Sequence, residues 1–351
     1  MSRSYVHADR TATWICRAAT LLALCALLPS PGTAAPHGGV RITDNLYGTR
    51  FIDASHGWAV GGFGTIFRTV DGGETWQAQV SHTMEPLFSV DFADLQHGWV
   101  VGRTGIILHT ADGGDTWEQQ PTGSDKHLFK VAVLDPQHAW AVGDWGAILT
   151  THDGGTTWED RSSSRDVILN SMSWSDARHG WIVGEAGTIL ATGDGGKTWT
   201  DQNSGVQKTL FGVTFTDAQH GWAVGLDGLI LCTADGGQRW RVQHGDTEVS
   251  ALEQVGVVEA RDNPSLYDVS VAGRYGYAVG DNGGVFASDD GGVTWRRRDV
   301  PDEANLRWIR AASLVPGTHG LLVGANGLTI DVAGEQLHVV EQGADVTQAT
   351  H

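Results

Sequence analysis

The sequence predicts an all-β fold, a seven-bladed β-propeller of four-stranded antiparallel blades, and two repeated motifs carry this prediction. The first motif is His-(Gly/Ala)-Trp-x-Val-Gly, which recurs at a spacing of 41 residues, and the second is Thr-x-Asp-Gly-Gly-x-x-Trp, which follows it on the same period. A period of about 40–45 residues made of short, Gly-punctuated segments is typical of propeller blades. The tryptophans of the first motif are Trp58, Trp99, Trp140, Trp181 and Trp222.

Two degenerate units follow these five. Residues 275–280 and 288–295 repeat both motifs in altered form, and residues 319–324 repeat the first motif alone. The count of seven units therefore predicts seven blades. The units start near residues 46, 87, 128, 169, 210, 266 and 308.

Each unit contains four predicted strands. In the second unit we expect strands at 87–92, at 98–101, at 105–110 and around 116–120, since the first and third of these show the apolar alternation of a half-buried strand. Asp-Gly-Gly forms the hairpin between the third and fourth strands, because glycine supplies positive φ there and the carboxylate accepts N–H groups of its own turn. The following tryptophan is expected to cover the hairpin.

The first 35 residues differ from the rest. Arg3, Arg10 and Arg17 precede an apolar run at 18–28, and a small-residue site follows at 33–35, as in a secretory signal peptide. An uncleaved anchor and a lipoprotein signal that uses Cys25 are the alternatives. We expect residues 1–35 to be the leader and residues 36–351 to form one propeller domain, exported to the periplasm, or to the thylakoid lumen in a photosynthetic organism.

The mature chain is strongly acidic. The whole sequence carries a formal charge of −18, and the leader has three arginines and one aspartate, which leaves about −20 after cleavage. Nucleic acid is therefore not an expected partner, because binding it relies on lysine and arginine. Only Cys232 would remain after cleavage, so no intramolecular disulfide is expected. The predicted oligomeric state is a monomer.

Propeller geometry separates the turns onto two faces. Turns between the first and second and between the third and fourth strands share one face, where the sequence repeats. Turns between the second and third strands share the opposite face with the connections between blades, and there the sequence varies, which favours recognition. The candidate binding residues are Phe63, Arg103, Asp144, Trp145, Glu185, Asp227, Asp281 and Asn282, with the basic run Arg296, Arg297 and Arg298 as a separate candidate. A solvated strand end is the alternative for the basic run.

Two further features bear on the face and on the ring. An insertion of 14 residues, roughly 244–264, lies between units five and six on the variable face, where it serves binding or is merely tolerated. Ring closure has two alternatives, an outermost strand of the seventh unit at 337–342 or pairing of residues 39–42 with that blade. The histidines of the first motif lie on separate blades, so we expect no metal site and no cofactor.

The Asp-Gly-Gly-x-x-Trp hairpin resembles the Asp-box (BNR repeat) of sialidases and other glycoside hydrolases. That resemblance implies an alternative function, a periplasmic glycan-binding or glycoside-hydrolase-like protein. A sialidase would carry an Arg-Ile-Pro motif near the N-terminus, whereas this chain has Arg41-Ile42-Thr43. Hydrolysis would also need two carboxylates beside the scissile bond.

The combined unit, His-Gly-Trp-x-Val-Gly followed by Thr-x-Asp-Gly-Gly-x-Thr-Trp, is similar to the Ycf48/Hcf136 family of photosystem II stability and assembly factors over about residues 46–342. The resemblance implies a non-catalytic exported propeller that holds a membrane protein or an envelope complex during assembly, with an arginine-rich patch as contact surface. Candidates for that patch are Arg41, Arg50, Arg68, Arg103 and the run 296–298.

Overall fold

The computed structural model describes residues 41–162, 165–245, 263–316, 319–333 and 336–340. These residues form seven four-stranded antiparallel sheets, and within each sheet the strands follow one another in chain order. The predicted seven-bladed β-propeller is confirmed. The predicted leader, residues 1–35, lies outside the described residues, and no helix within the described residues is long and apolar enough to cross a membrane.

The first strand of every blade lies innermost, beside the first strands of the neighbouring blades, and the contact between blades 7 and 1 closes the ring. The innermost strands are β1 Leu46–Phe51, β5 Leu87–Phe92, β9 Leu128–Asp135, β13 Leu169–Trp174, β17 Leu210–Phe215, β21 Leu266–Ala272 and β25 Ile309–Val315. The second strands are β2 Gly57–Gly61, β6 Gly98–Gly102, β10 His138–Gly143, β14 Gly180–Gly184, β18 Gly221–Gly225, β22 Tyr275–Gly280 and β26 His319–Gly324.

The third and outermost strands are shorter and end each blade at the rim. The third strands are β3 Ile66–Thr69, β7 Ile107–Thr110, β11 Ile148–Thr151, β15 Ile189–Thr192, β19 Ile230–Thr233, β23 Val285–Ser288 and β27 Thr329–Ala333. The outermost strands are β4 Gln77–Gln79, β8 Glu118–Gln119, β12 Glu159–Asp160, β16 Thr200–Asp201, β20 Arg241–His244, β24 Arg296–Arg297 and β28 Gln336–Val339. In blade 2 these bounds shorten the predicted third strand, because Gly105 belongs to the preceding 3₁₀ turn.

The hydrophobic core is divided among the interfaces between blades. Seven buried clusters are present in the described residues, and each joins side chains of two neighbouring blades. Between blades 1 and 2, for example, Trp58 stacks on Phe92 with ring centroids 3.6 Å apart. Because a single blade cannot bury both of its faces, its stability depends on its neighbours.

Ring closure uses both ends of the described chain in different ways. The outermost strand of blade 7 is β28, which comes from the seventh unit itself and pairs with β27. Residues 41–45 form no strand, but Ile42 is buried in the cluster shared by blades 7 and 1. The N–H of Gly327 donates to the carbonyl of Asp44 at 2.8 Å, and the N–H of Asn326 donates to Oδ1 of Asn45 at 2.9 Å. Within the described residues the seam is therefore closed by packing and hydrogen bonds, and residues 39 and 40 of the alternative pairing lie outside them.

Most of the insertion predicted at 244–264 lies outside the described residues. At its start, the His244 ring lies with Nδ1 2.9 Å from the carbonyl oxygen of Gly228. At its end, Asn263 lies against Gly228. Both ends of the insertion therefore meet at the turn between β18 and β19.

Candidate functional site

The hairpin face carries the Asp-Gly-Gly turns, whose polar groups are occupied by one another. In blade 2, the hydroxyl of Thr110 donates to Asp112 at 2.8 Å and accepts the N–H of Gly114 at 2.8 Å. Asp112 also accepts the N–H and the hydroxyl of Thr116 at 2.9 and 2.6 Å. Burial opposes ionisation of Asp112, but these hydrogen bonds outweigh it and lower its pKa to about 2. The hairpin is thus a closed structural unit.

The same face carries an Asp–His pair at the turn between the first and second strands of blades 1–5. In blade 2, Nδ1 of His97 lies 3.0 Å from Asp94, which also accepts the N–H groups of His97 and Gln96. Burial favours the neutral form of Asp94, but those N–H groups and the ring outweigh it and lower its pKa. Among the described residues, no group of three or more His, Cys, Asp or Glu side chains could hold a metal ion.

The opposite face is named here the variable face, and it contains the turns between second and third strands together with the connections between blades. The second residue of each of these turns has a left-handed backbone, and so does the glycine that follows it. A left-handed backbone is unfavourable for bulky residues, which makes Phe63 at φ 55° and Trp145 at φ 54° notable. The equivalent residues in the other blades are Thr104, Ala186, Asp227, Asn282 and Asn326.

Phe63 and Trp145 project into solvent from this constrained backbone. Their exposed fractions are 70% and 61%. Phe63 lines a shallow depression together with Val80 and Met84, which are also exposed. The variable face therefore presents large apolar side chains on a rigid frame. Among the described residues, the exposed large apolar side chains of the hairpin face are Val70, Leu95 and Val293.

Three of the predicted carboxylates on the variable face are engaged in local bonds. Asp227 is buried and forms an ion pair with Lys208, 2.5 Å from its Nζ. Glu185 accepts the backbone N–H of Ile168 at 3.0 Å. Asp281 accepts the hydroxyl of Tyr267 at 2.7 Å. Each of these carboxylates thus supports the turn or strand beside it.

Asp144 differs from the other three. Burial raises its pKa, and the neighbouring Glu185 of the next blade raises it further, while His127 opposes the rise. The N–H of Asp144 donates to the carbonyl of His127 at 2.9 Å. Glu185 and Asp144 are thus carboxylates of neighbouring blades that lie close enough for the first to raise the pKa of the second.

The predicted basic residues do not converge. Arg103 lies on the variable face, half-exposed, with Nε 3.9 Å from Glu85. Arg296 and Arg297 form β24, the exposed outermost strand of blade 6, and therefore lie at the rim. The N–H of Arg298 donates to Val285 of the adjacent strand at 2.8 Å. Of the other arginines considered, Arg50 pairs with Asp91 and Arg68 with Asp115, whereas Arg41 begins the described chain.

A cavity of about 380 Å³ occupies the centre of the ring, and no motif of the sequence predicted it. It is lined by the second and third residues of the innermost strands, near the ends at which these strands leave the variable face. In every blade the pairing register of the innermost strand shifts at its second residue, a bulge that turns the side chain out of the sheet alternation. The second residues are Tyr47, Phe88, Phe129, Asn170, Phe211, Tyr267 and Arg310.

The aromatic members form two arcs on the cavity wall. Ring centroids lie 5.9 Å apart for Trp308 and Tyr47, 5.9 Å for Tyr47 and Phe88, and 5.5 Å for Phe88 and Phe129. Phe211 and Tyr267, at 5.5 Å, form the second arc. Contacts at these distances are typical of stable aromatic pairs.

Arg310 and Asn170 interrupt the aromatic lining. The guanidinium of Arg310 lies over the ring of Tyr267, 4.3 Å from its centroid. Burial lowers the pKa of Arg310, although Tyr267, Asp268 and Asp281 act in the opposite sense, and an arginine remains charged. Burial and the hydrogen bond to Asp281 raise the pKa of Tyr267. The signal that could have identified this wall is the recurrence of an aromatic residue directly after the first leucine in five of the seven innermost strands.

Comparisons with known proteins place the chain in a family. The family model described as photosynthesis system II assembly factor YCF48 matches residues 37–125, 116–203 and 200–259, which together span more than half of the chain. No curated protein matches the chain.

Solved structures share the fold. A structure of YCF48 bound to a D1 peptide is 23% identical, with a TM-score of 0.66 over 85% of this chain and 94% of that one. YCF48 from Cyanidioschyzon merolae is 21% identical, with a TM-score of 0.65 over 85% and 98%. The GH74 xyloglucanase from Xanthomonas campestris is 13% identical, with a TM-score of 0.66 over 88% of this chain and 53% of that one. On the match of the family model, this chain belongs to the YCF48 family of photosystem II assembly factors.

Proposed function

We propose that this protein is an exported, non-catalytic assembly or stability factor that binds a membrane protein or an envelope complex through its variable face. Family membership supports the role of assembly factor. The observation that carries the choice of surface is the exposure of Phe63 and Trp145 on constrained turns of one face. Aromatic anchors on a preorganised frame are typical of binding surfaces.

A polypeptide segment is the client class that we propose. One structural relative is a YCF48 bound to a D1 peptide, which supports a peptide contact for this chain as well. The exposed apolar residues are spread over several blades, as a long or folded client would require. The acidic balance of the chain disfavours nucleic acid as the client.

The non-catalytic assignment is supported by the state of the carboxylates. Asp227, Glu185 and Asp281 hold local hydrogen bonds or an ion pair, and such groups are poor candidates for an acid and base that must exchange protons. Asp144 and Glu185 are the pair on which a hydrolase alternative would depend. A hydrolytic activity of the purified protein that Asp144→Asn abolishes would contradict the non-catalytic assignment.

In-cell crosslinking and pull-down of the tagged protein tests the proposal. We compare the wild type with the double variant Phe63→Ser, Trp145→Ser, and we use Val293→Ser as a matched control, because Val293 is 68% exposed on the hairpin face. The expected result is recovery of a membrane protein with the wild type and the control, and a loss of at least about tenfold with the double variant, since central aromatic anchors each contribute about 2 kcal/mol or more.

Equal recovery by all three proteins would contradict the assignment to the variable face. Recovery of no membrane protein by the wild type would contradict the assembly-factor proposal itself. Fractionation of the same cells tests the proposed export, which a cytoplasmic location of the full-length protein would contradict.

A further inference from the structure

One position that lines the central cavity carries a different kind of side chain in two of the seven blades. At the third position of the innermost strands the side chains are small in five blades, namely Gly48, Ser89, Ser171, Gly212 and Ala311. The two exceptions are Lys130 in blade 3 and Asp268 in blade 6, and both line the cavity. Because small residues occupy this position in five blades, the fold of a blade does not require a charged side chain there.

Among the described residues the cations of the cavity form no close ion pair, although Asp268 and Asp281 act on Arg310 from a greater distance. Asp268 accepts the N–H of Ala312 at 3.0 Å, which fixes that carboxylate against the wall. Within the described residues, neither Lys130 nor Arg310 has a carboxylate within 4.0 Å of its charged nitrogens. With Asp268 ionised, the lining therefore carries an excess of one positive charge in a protein that is acidic overall.

The arginine is positioned to recognise a carboxylate. Its guanidinium is held against the Tyr267 ring, and the hydroxyl of Tyr267 is in turn fixed by Asp281. A guanidinium held in one plane matches the two oxygens of a carboxylate. The longer aromatic arc begins on the same blade, at Trp308, and offers an adjoining apolar wall.

We propose that the central cavity binds an aromatic or aliphatic carboxylate, with its carboxylate on Arg310 and its apolar body on the arc formed by Trp308, Tyr47 and Phe88. Lys130, at the far end of the arc beyond Phe88, adds attraction for the anion. A volume of about 380 Å³ lies at the lower end of the range of small-ligand sites, roughly 300–1,000 Å³. An inorganic anion would leave the aromatic wall unused, and a neutral sugar would leave both cations unused.

The same chemistry has two sources. One is a free small acid, and the other is an acidic side chain next to an aromatic residue in a client segment. Only the second source rests on the proposed function. The probes are 3-phenylpropanoate, its uncharged analogue 3-phenylpropanamide, and the end-blocked dipeptide acetyl-Glu-Phe-amide. Binding of each to the purified protein is measured by calorimetry at low salt.

We expect 3-phenylpropanoate to bind at least about tenfold more tightly than the amide, as a charge-assisted hydrogen bond requires. Arg310→Gln should lower that affinity by about tenfold and Lys130→Met by a few-fold. Asp268→Asn should raise it, because the substitution removes the negative charge and keeps an acceptor for the Ala312 N–H. Val293→Ser, at an exposed position on the hairpin face, serves as control and should bind like the wild type.

Unfolding would lower the affinity of both variants. A lower affinity of Arg310→Gln together with a higher affinity of Asp268→Asn therefore excludes unfolding as the cause of the change. Stronger binding of the dipeptide than of the free acid assigns the site to a client segment, and the reverse assigns it to a small acid. Equal binding of the acid and the amide, an absence of binding by both the acid and the dipeptide, or an unchanged affinity in Arg310→Gln would overturn the proposal. Client recovery by the wild type in the pull-down is scored separately, so that failure of the cavity site and failure of the assembly-factor role are distinguished.

Discussion

Two neighbouring interfaces of the ring are built differently. Between blades 2 and 3, Oε1 of Gln120 accepts the indole N–H groups of Trp99 and Trp158 at 3.1 and 2.9 Å, and its amide donates to the carbonyl of Gly154 at 3.0 Å. Between blades 3 and 4 the position of that glutamine is taken by Arg161, which points to the surface and pairs with Glu159. Related glutamine bridges are formed by Gln79, Gln202 and Gln243.

Aromatic packing replaces the bridge between blades 3 and 4. Trp174 lies 5.3 Å from Trp140 and 5.7 Å from Trp199, as measured between ring centroids. The buried indole nitrogens of Trp174 and Trp199 have no hydrogen-bond partner in the described part of the chain. The edge of Trp140 covers Gly196, whereas the amide of Gln120 covers the equivalent Gly155. A polar bridge and a tryptophan cluster are thus alternative ways to join the same two repeat surfaces.

The largest effect is expected from removing a ring of the tryptophan cluster. Trp174→Ala should lower the free energy of unfolding by about 3 kcal/mol, because packing is what this interface depends on. Trp174→Phe should cost less than about 1.5 kcal/mol, because no hydrogen bond is lost. Urea unfolding measures both values. Equal losses for the two variants would show that the indole N–H, and not the ring, stabilises the interface.

A second comparison uses the same repeat position in both interfaces. Gln120→Ala should cost about 2–3 kcal/mol, because two indole N–H groups lose their acceptor. Arg161→Ala should cost less than about 0.5 kcal/mol, since exposed ion pairs contribute little. Gln119→Ala, at an exposed position next to the bridge, is the control. Similar losses for Gln120→Ala and Arg161→Ala would refute the distinction between the two interfaces.

The smallest effect concerns acid, to which a hairpin at a glutamine-bridged interface, that of blades 1 and 2, and the hairpin at the tryptophan cluster should respond alike. Asp112 and Asp194 lie in equivalent hairpins of blades 2 and 4, and the pKa of each is lowered to about 2. For Asp112, the hydrogen bonds outweigh the opposing effect of burial. For Asp194, the hydrogen bond from the side chain of Thr198 is the main cause. A carboxyl with a lowered folded-state pKa stabilises the fold above about pH 4, and this contribution is lost as the pH falls towards 2. Asp112→Asn and Asp194→Asn should flatten the pH dependence of the melting temperature between pH 4 and 2 to the same extent. A steeper acid response in only one of them would contradict the equivalence of the hairpins.

The regular features were predictable because they are local. The spacing of Trp58 and its equivalents specified the blades, and Asp-Gly-Gly specified the hairpins, since both depend on residues within one unit. The turns of the variable face were placed correctly in the chain, but the ion pair of Asp227 with Lys208 was not foreseen, because its partners are separated by 19 residues in the sequence.

The residues of the cavity wall could not be predicted from the sequence of a single strand. Period-two alternation assigns Leu87 and Phe88 to opposite faces of a blade, and only the register against β6 reveals the bulge that turns Phe88 towards the ring centre. Likewise, Gln120 reads as an ordinary polar residue at the end of an outer strand, although it binds tryptophans on two blades. Comparing the seven units position by position would have exposed Lys130, Asp268 and Arg310 as departures.

The seam between the first and last blades has a consequence for the order of assembly. Phe51 and Trp76 of blade 1 are covered by Leu321 and Val323 of blade 7, which lie between 245 and 272 residues later in the chain. The apolar surface of the first blade therefore stays uncovered until the last blade has formed. A chain that ends early leaves two such surfaces open, one at each end of the incomplete array, so that quality control can recognise an unfinished ring by the same surfaces that a finished ring conceals.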